Sequence, residues 1–170
     1  QTPKERYKIM TREMPKKGKL SLEMMYQTAG TQINLDYISE TDFSKKFKLI
    51  SNLTPMSIAI FANSPFKEGK INGYLSYRSR VWQETARGGL PRNYLEGMDF
   101  EKYSDMVINT PLLFIVKNNK HFNVANKTFK DFMDGKIKKI NNSGPSVEDL
   151  KNHLSTIFTE VRLKQYLEIR

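Results

Sequence analysis

Residues 31–37 read TQINLDY. Alternation at a period of two puts Thr31, Ile33, Leu35 and Tyr37 on one side of a strand and Gln32, Asn34 and Asp36 on the other. Just before it, Thr28, Ala29 and Gly30 are small, which suits a close approach to the backbone. The segment predicts a buried β-strand whose second face carries two amides and a carboxylate. The end of the chain, VRLKQYLEIR at 161–170, alternates in the same way and predicts another strand. There Val161, Leu163, Leu167 and Ile169 share one face, and Arg162, Lys164, Tyr166, Glu168 and Arg170 the other. If both strands belong to one sheet with coincident polar faces, they line a cavity. Its oxygen donors suit Mg²⁺ and a nucleoside triphosphate, and an arginine fork suits phosphate. Strands that each turn one face to water give the same alternation, so the pattern leaves both readings open.

Between these strands the sequence predicts mostly helices. KERYKIMTREM at 4–14 is helical in composition and is stopped by Pro15. Ser39 followed by Asp42 forms an N-cap pair for a helix through about residue 53, with Phe43, Phe47, Ile50 and Leu53 on one face. Pro55 is expected to open a second, apolar helix over MSIAIFA. Residues 63–75 read as loop, and 76–84 as either a short helix or a ligand-facing strand. A helix is expected after Asp99, a hairpin about Asn118–Asn119, a brief helix at TFKDFMDG, and a loop at 143–145. The last helix is capped by Ser146 and has an acidic first turn. The mixture indicates an α+β fold, with helices packed against a mainly antiparallel sheet.

Composition narrows the chemistry. A chain of 170 residues suits one domain, and its 11% aromatic content offsets a lean apolar fraction of 38%. There is no run of the ~18 apolar residues that a membrane span needs, so no membrane partner is expected. Cysteine is absent, which excludes disulfides and thiolate metal sites. His121 and His153 are the only imidazoles and lie far apart in sequence, so any metal is expected to be hard and oxygen-bound. The net charge of +10 is scattered apart from short clusters at Lys16, Lys17 and Lys19 and at Lys136, Lys138 and Lys139. No basic-helix or aromatic-platform motif organises it, so nucleic acid is not expected as a partner. The chain begins at Gln1 and stops at Arg170 inside an alternating run. Residues 1–170 are therefore expected to be one segment of a larger protein, truncated at both ends.

A third candidate is YLSYRSRVW at 74–82, where Arg78 and Arg80 are flanked by Tyr77 and Trp82. It suits a bidentate carboxylate clamp with an aromatic wall, although arginine stems covering exposed rings give the same pattern. Arg6 beside Tyr7 is a weaker version.

The ordered segments ERYKIM, MMYQTAGTQINLDY, FANSPFKEGKINGYLSYRSRVW, NHLSTIF and EVRLKQYLEIR closely resemble the glutamate–cysteine ligase family of plant and proteobacterial type. The likeness runs over essentially the whole chain. It implies a carboxylate–amine ligase with a glutamine-synthetase-like antiparallel sheet, of which 1–170 is an incomplete catalytic-domain segment. The implied reaction joins the glutamate γ-carboxylate to the cysteine amine, with ATP as co-substrate and Mg²⁺ as cofactor, in the first step of glutathione biosynthesis. By the same resemblance Arg6 and Arg78 hold glutamate and Trp82 walls its pocket. Gln32 and Glu168 are metal ligands, Asn34 and Arg170 contact the nucleotide, and Arg78, Glu168 and Arg170 form the catalytic set.

Arg80 stands where plant relatives carry His, so no role is carried onto it, and Val124 stands where they carry a redox-sensitive cysteine. The family's Glu-x-Glu-like acidic metal ligands are not in the segment, which alone is expected to lack ligase activity. The resemblance implies a cytoplasmic enzyme if bacterial and a plastid one if plant-like. Two other readings remain: a related ligase coupling glutamate to another amine, and a non-catalytic basic binding module.

Overall fold

A computed structural model of the chain describes residues 4–124, 126–140 and 144–170. Ser143, in the loop expected before the last helix, lies outside them. The described residues form an α+β arrangement. Its centre is a three-stranded antiparallel sheet built from β1 (Ile33–Leu35), β8 (Val161–Leu163) and β9 (Leu167–Ile169), in the order β1-β9-β8. Asn34 lies opposite Glu168, and Glu168 opposite Arg162, so all three project from one face.

The terminal run is a hairpin rather than the single strand expected. Lys164 N–H donates to the Tyr166 carbonyl at 2.8 Å across the turn, and Leu163 pairs with Leu167. A three-residue connection keeps the parity of the chain, so the alternation passes through the turn without a break. β1 also departs from expectation. Among the described residues it is an edge strand paired only to β9, and Ile33 is 58% exposed where the alternation predicts burial.

The apolar face of this sheet packs on α3 (Glu40–Ile60), where Phe43, Phe47 and Ile50 meet Val161 and Leu167, with Tyr94, Tyr103 and Val107 completing the cluster. Ser39 Oγ accepts from Asp42 N–H at 3.2 Å, the cap expected. Pro55 does not open a second helix; it lies inside this one. Proline there removes one backbone donor and crowds the carbonyl four residues earlier, that of Ser51. The buried side chains of the helix, Phe43, Phe47, Ile50, Ser51 and Thr54, all precede it, and the turns after it are mostly exposed.

The remaining elements frame the site. α1 (Glu5–Glu13), α2 (Ser21–Gln27) and α4 (Tyr77–Gln83) surround an apolar cluster of Ile9, Met10, Met24, Val81, Trp82 and Phe114. The stretch at 76–84, open between helix and strand, is thus helical. Ser76 Oγ accepts from Ser79 N–H at its start. Within 63–75 a small hairpin joins β2 (Phe66–Lys67) to β3 (Lys70–Ile71).

β4 (Gly88–Gly89) runs parallel to β7 (Phe158–Thr159). The helix α5 (Phe100–Asn109) starts at the Asp99 cap. It leads to the expected hairpin of β5 (Phe114–Lys117) and β6 (Lys120–Asn123), which turns through Asn118 and Asn119 at φ of 48° and 60°. Two consecutive left-handed residues are what a two-residue hairpin needs, and asparagine tolerates them best after glycine. α6 (Phe129–Met133) and α7 (Val147–Leu154) both begin with capping boxes, Thr128 with Asp131 and Ser146 with Asp149. Val124 packs in a third cluster with Phe129, Phe132 and Ile137. No described helix is long and apolar enough to cross a membrane.

His153 of α7 stacks on Phe129 at 5.3 Å, with Nε2 2.8 Å from the Val107 carbonyl and Nδ1 3.4 Å from the Arg87 guanidinium. Burial, with Arg87 nearby, lowers its pKa from 6.5 to about 4. The unfolded chain therefore binds the extra proton first. The contribution is intact above pH 6.5 and is lost as pH falls towards 4. Melting of the whole protein between these values is expected to lose stability on the order of 3 kcal/mol from this residue. His153→Gln should flatten that limb of the pH profile; an equally steep limb in the variant would refute the assignment.

Candidate functional site

The polar face of the β1-β9-β8 sheet is buried along β9 and β8, while Asn34 at the β1 edge is exposed. Glu168 is 3% exposed, Glu160 3% and Arg162 9%, values that strand faces turned to water do not give. Arg162 Nε donates to Glu168 Oε2 and its Nη2 bridges the same oxygen, while Nη1 donates to the Ile157 carbonyl at 3.1 Å. Lys164 Nζ takes the other carboxylate oxygen at 2.5 Å. Burial works against ionisation of Glu168, but the Lys164 and Arg162 hydrogen bonds outweigh it and hold its pKa below the usual value.

The ladder continues one step beyond the named strands. Arg170 N–H donates to the Glu160 carbonyl at 3.0 Å, which sets Glu160 opposite Arg170. Two rows of side chains thus lie on the face: Asn34, Glu168 and Arg162, then Arg170 and Glu160, with Gln32 two residues from Asn34 at the exposed edge.

At the Arg170 end this face meets α4. Arg78 and Trp82 are four residues apart and so share one side of that helix. The Arg170 guanidinium lies 4.6 Å from the Trp82 ring centroid, and that of Arg78 lies 5.4 Å from it. Arg6, from α1, lies 5.9 Å from the Phe114 ring, which belongs to the same apolar cluster as Trp82. Among the described residues the Nε atoms of Arg6, Arg78 and Arg170 and the Trp82 Nε1 are all buried without a hydrogen-bond partner. Natural proteins rarely leave such donors unpaired, and these four, set around one aromatic cluster, suit acceptors from outside the chain; Ser51 Oγ and Arg87 Nε are left unpartnered elsewhere. Burial, and then Arg162, lower the Arg170 pKa to about 10.

The small residues before β1 have their reason here. A Cβ on Gly30 would sit 2.9 Å from Arg78 Nε and 3.1 Å from Nη2. Gly30→Ala would therefore push the guanidinium aside. In the whole protein it is expected to weaken binding of a carboxylate ligand at Arg78 several-fold with little loss of melting temperature, and unaltered binding would remove that role for Gly30. Arg80, by contrast, pairs with Glu84 at 3.0 Å and makes an ordinary helix-surface bridge.

Of the residues singled out in the sequence, the structure brings together Asn34, Glu168, Arg170, Trp82 and Arg78, with Gln32 at the rim and Arg6 across the aromatic cluster. Sequence reasoning gave no role to Arg162, Lys164 or Glu160. The signal was available in the parity of EVRLKQYLEIR, which places all three on the face of Glu168 and Arg170.

The donors of this face bear on a hard cation. Among the described residues no group of three His, Asp or Glu side chains comes together. On this face Glu168 lies across the ladder from Asn34, and its Oε1, bonded by Lys164 alone while Arg162 takes Oε2, keeps a lone pair for an outside cation; Glu160 is the second carboxylate of the face. That suits one side of a Mg²⁺ shell, since this ion keeps water and phosphate oxygens and takes one or two carboxylates.

The model of glutamate-cysteine ligase family 2 matches residues 1–170. The chain is 47% identical over 171 aligned residues to the chloroplastic glutamate--cysteine ligase B of Oryza sativa subsp. japonica, covering 99% of this chain and 34% of that protein. It is also 47% identical to the chloroplastic enzyme of Nicotiana tabacum and 46% to that of Arabidopsis thaliana, each match covering 99% of this chain and 33% of the relative. The chain thus spans about a third of the length of the curated relatives it matches. With the whole of its length matched, the chain belongs to the glutamate–cysteine ligase family.

Proposed function

We propose that the whole protein carrying this chain joins the γ-carboxylate of glutamate to the amine of cysteine at the expense of ATP, and that these residues form one wall of its active site. The observation that carries this reading is the set of four unpartnered nitrogens on Arg6, Arg78, Arg170 and Trp82 around one aromatic cluster. Guanidinium forks without internal acceptors suit carboxylate and phosphate oxygens.

The chemical problem is that a carboxylate is a poor electrophile. Transfer of the ATP γ-phosphoryl group to glutamate gives an acyl phosphate, which the neutral cysteine amine attacks as phosphate leaves. In our reading Arg78 and Arg6 hold glutamate, and Trp82 shields the reacting carboxylate from water. Asn34 and Arg170 hold the nucleotide, and Arg162 orients Glu168. Glu168 and Gln32 would hold Mg²⁺, which when bound would supply positive charge beside the phosphate oxygens. The catalytic set of Arg78, Glu168 and Arg170 acts by positioning and charge, with no histidine relay.

The test is ADP formation by the whole enzyme with glutamate, ATP and Mg²⁺, comparing cysteine with other amines. Turnover that needs glutamate and prefers cysteine is expected. Turnover with a different preferred amine would move the protein to another acceptor. Salt-sensitive nucleic-acid binding without any nucleotide-dependent reaction would replace the ligase with a basic binding module.

A further inference from the structure

Glu160 follows β7 and faces the Arg170 end of the polar sheet. It is 3% exposed, its N–H donates to the Gly89 carbonyl at 2.9 Å, and its own carbonyl takes Arg170 N–H. The backbone is therefore fixed from both sides. Residues directly across an antiparallel pair have Cβ atoms roughly 5 Å apart, and opposite charges there normally join.

Glu160 and Arg170 do not join. Among the described residues the Glu160 carboxylate enters no ion pair. Arg170 lays its guanidinium over Trp82 instead, and Arg78 approaches the same ring. The neighbouring row shows the contrast, since Glu168 and Arg162 are bonded there. Burial pushes the Glu160 carboxyl up, and the fields of Arg78 and Arg170 offset this only in part. A buried carboxylate held apart from the Arg78 guanidinium, whose Nε is unpartnered among the described residues, is complementary to a zwitterion. An α-amino acid presents an anion and a cation a few ångströms apart, and it satisfies both sets at once.

We propose that Glu160 is the acceptor for the α-ammonium group of the glutamate substrate, with Arg78 taking a carboxylate of the same molecule. This rests on the ligase reading above and names a group that the resemblance left unassigned. Within it, the amino-acid site has two poles: guanidinium forks on α1 and α4, and a buried carboxylate at the β7–β8 junction.

The experiment is steady-state kinetics of the whole enzyme and its Glu160→Gln variant, with glutamate as substrate and glutarate as competitive inhibitor. Glutarate has both carboxylates and no ammonium. The variant is expected to raise the KM for glutamate about 10- to 100-fold, the usual worth of one charge-assisted hydrogen bond, and to leave the glutarate inhibition constant unchanged. KM values for ATP and cysteine should stay put.

Equal weakening of glutamate and glutarate would overturn the proposal, because Glu160 would then only position the arginines. An effect confined to cysteine, or none, would overturn it too. If Glu160→Gln fails to fold, Glu160→Asp is read in its place, with the same selective loss expected at smaller size. A wild-type enzyme without glutamate-dependent ADP formation would refute the ligase reading itself, an outcome distinct from the failure of Glu160 alone.

Discussion

Arg78→Ala in the whole enzyme is expected to raise the KM for glutamate about 100-fold while leaving the KM for ATP near its wild-type value. Each hydrogen bond from a guanidinium to a carboxylate contributes ~1.5–3 kcal/mol. A bidentate clamp loses two of them, and Arg6 on the far side of the aromatic cluster retains part of the attraction. Stability should fall only modestly, because among the described residues Arg78 makes no ion pair and its Nε has no partner to abandon, while its contact with Trp82 and its field at Glu160 are lost. Arg78→Lys separates charge from fork geometry: an ammonium keeps the attraction but cannot reproduce the two parallel bonds, so partial recovery is expected. An Arg78→Ala enzyme that binds glutamate normally would remove this residue from the substrate site.

What the sequence disclosed, and what it withheld, follows from how far each signal reaches. Caps, turns and proline stops are local, and Ser39, Asp99, Ser146 and the Asn118–Asn119 turn all occupy the positions their chemistry predicts. Alternation is local as well, and it identified the polar face that carries Asn34, Glu168 and Arg170. It could not report the turn inside VRLKQYLEIR, since an odd-length connection leaves the parity intact. Pro55 misled for the opposite reason. Its local meaning is a helix start, but packing of Phe43, Phe47 and Ile50 on the sheet fixes the helix axis from its first turns and carries it past the proline.

Exposure was the least legible property. Ile33 and Leu35 read as core, yet β1 lies at an edge with neighbours on one side only. The partners of the site were hidden for a similar reason. The Arg162–Glu168–Lys164 triad depends on strand register, and the approach of Arg78 to Gly30 depends on how α4 settles against the segment before β1.

Glu168→Ala is expected to damage both stability and chemistry, and the two effects can be told apart. Removing this carboxylate leaves Arg162, 9% exposed, without its counter-charge, and breaking a buried pair in this way costs about 3–5 kcal/mol. The lowered Glu168 pKa has the same consequence with pH. Its contribution is complete above the unfolded-state carboxyl pKa and is lost as pH falls through the lower folded value. The double replacement Glu168→Met with Arg162→Met removes the stranded charge together with its partner. It should recover most of the melting temperature, because a well-packed apolar pair replaces a buried ionic one at little cost. Activity should not return with it. Phosphoryl transfer, read as glutamate-dependent ADP formation, is expected to stay at least 10²-fold down, since neither variant offers an oxygen ligand at that place on the sheet. Glu168→Asp keeps the ligand but sets it back by one carbon, so raised Mg²⁺ should recover part of its rate. A stabilised double variant with near-normal turnover would mean that Glu168 serves only to neutralise Arg162, and Mg²⁺ would then need a different carboxylate.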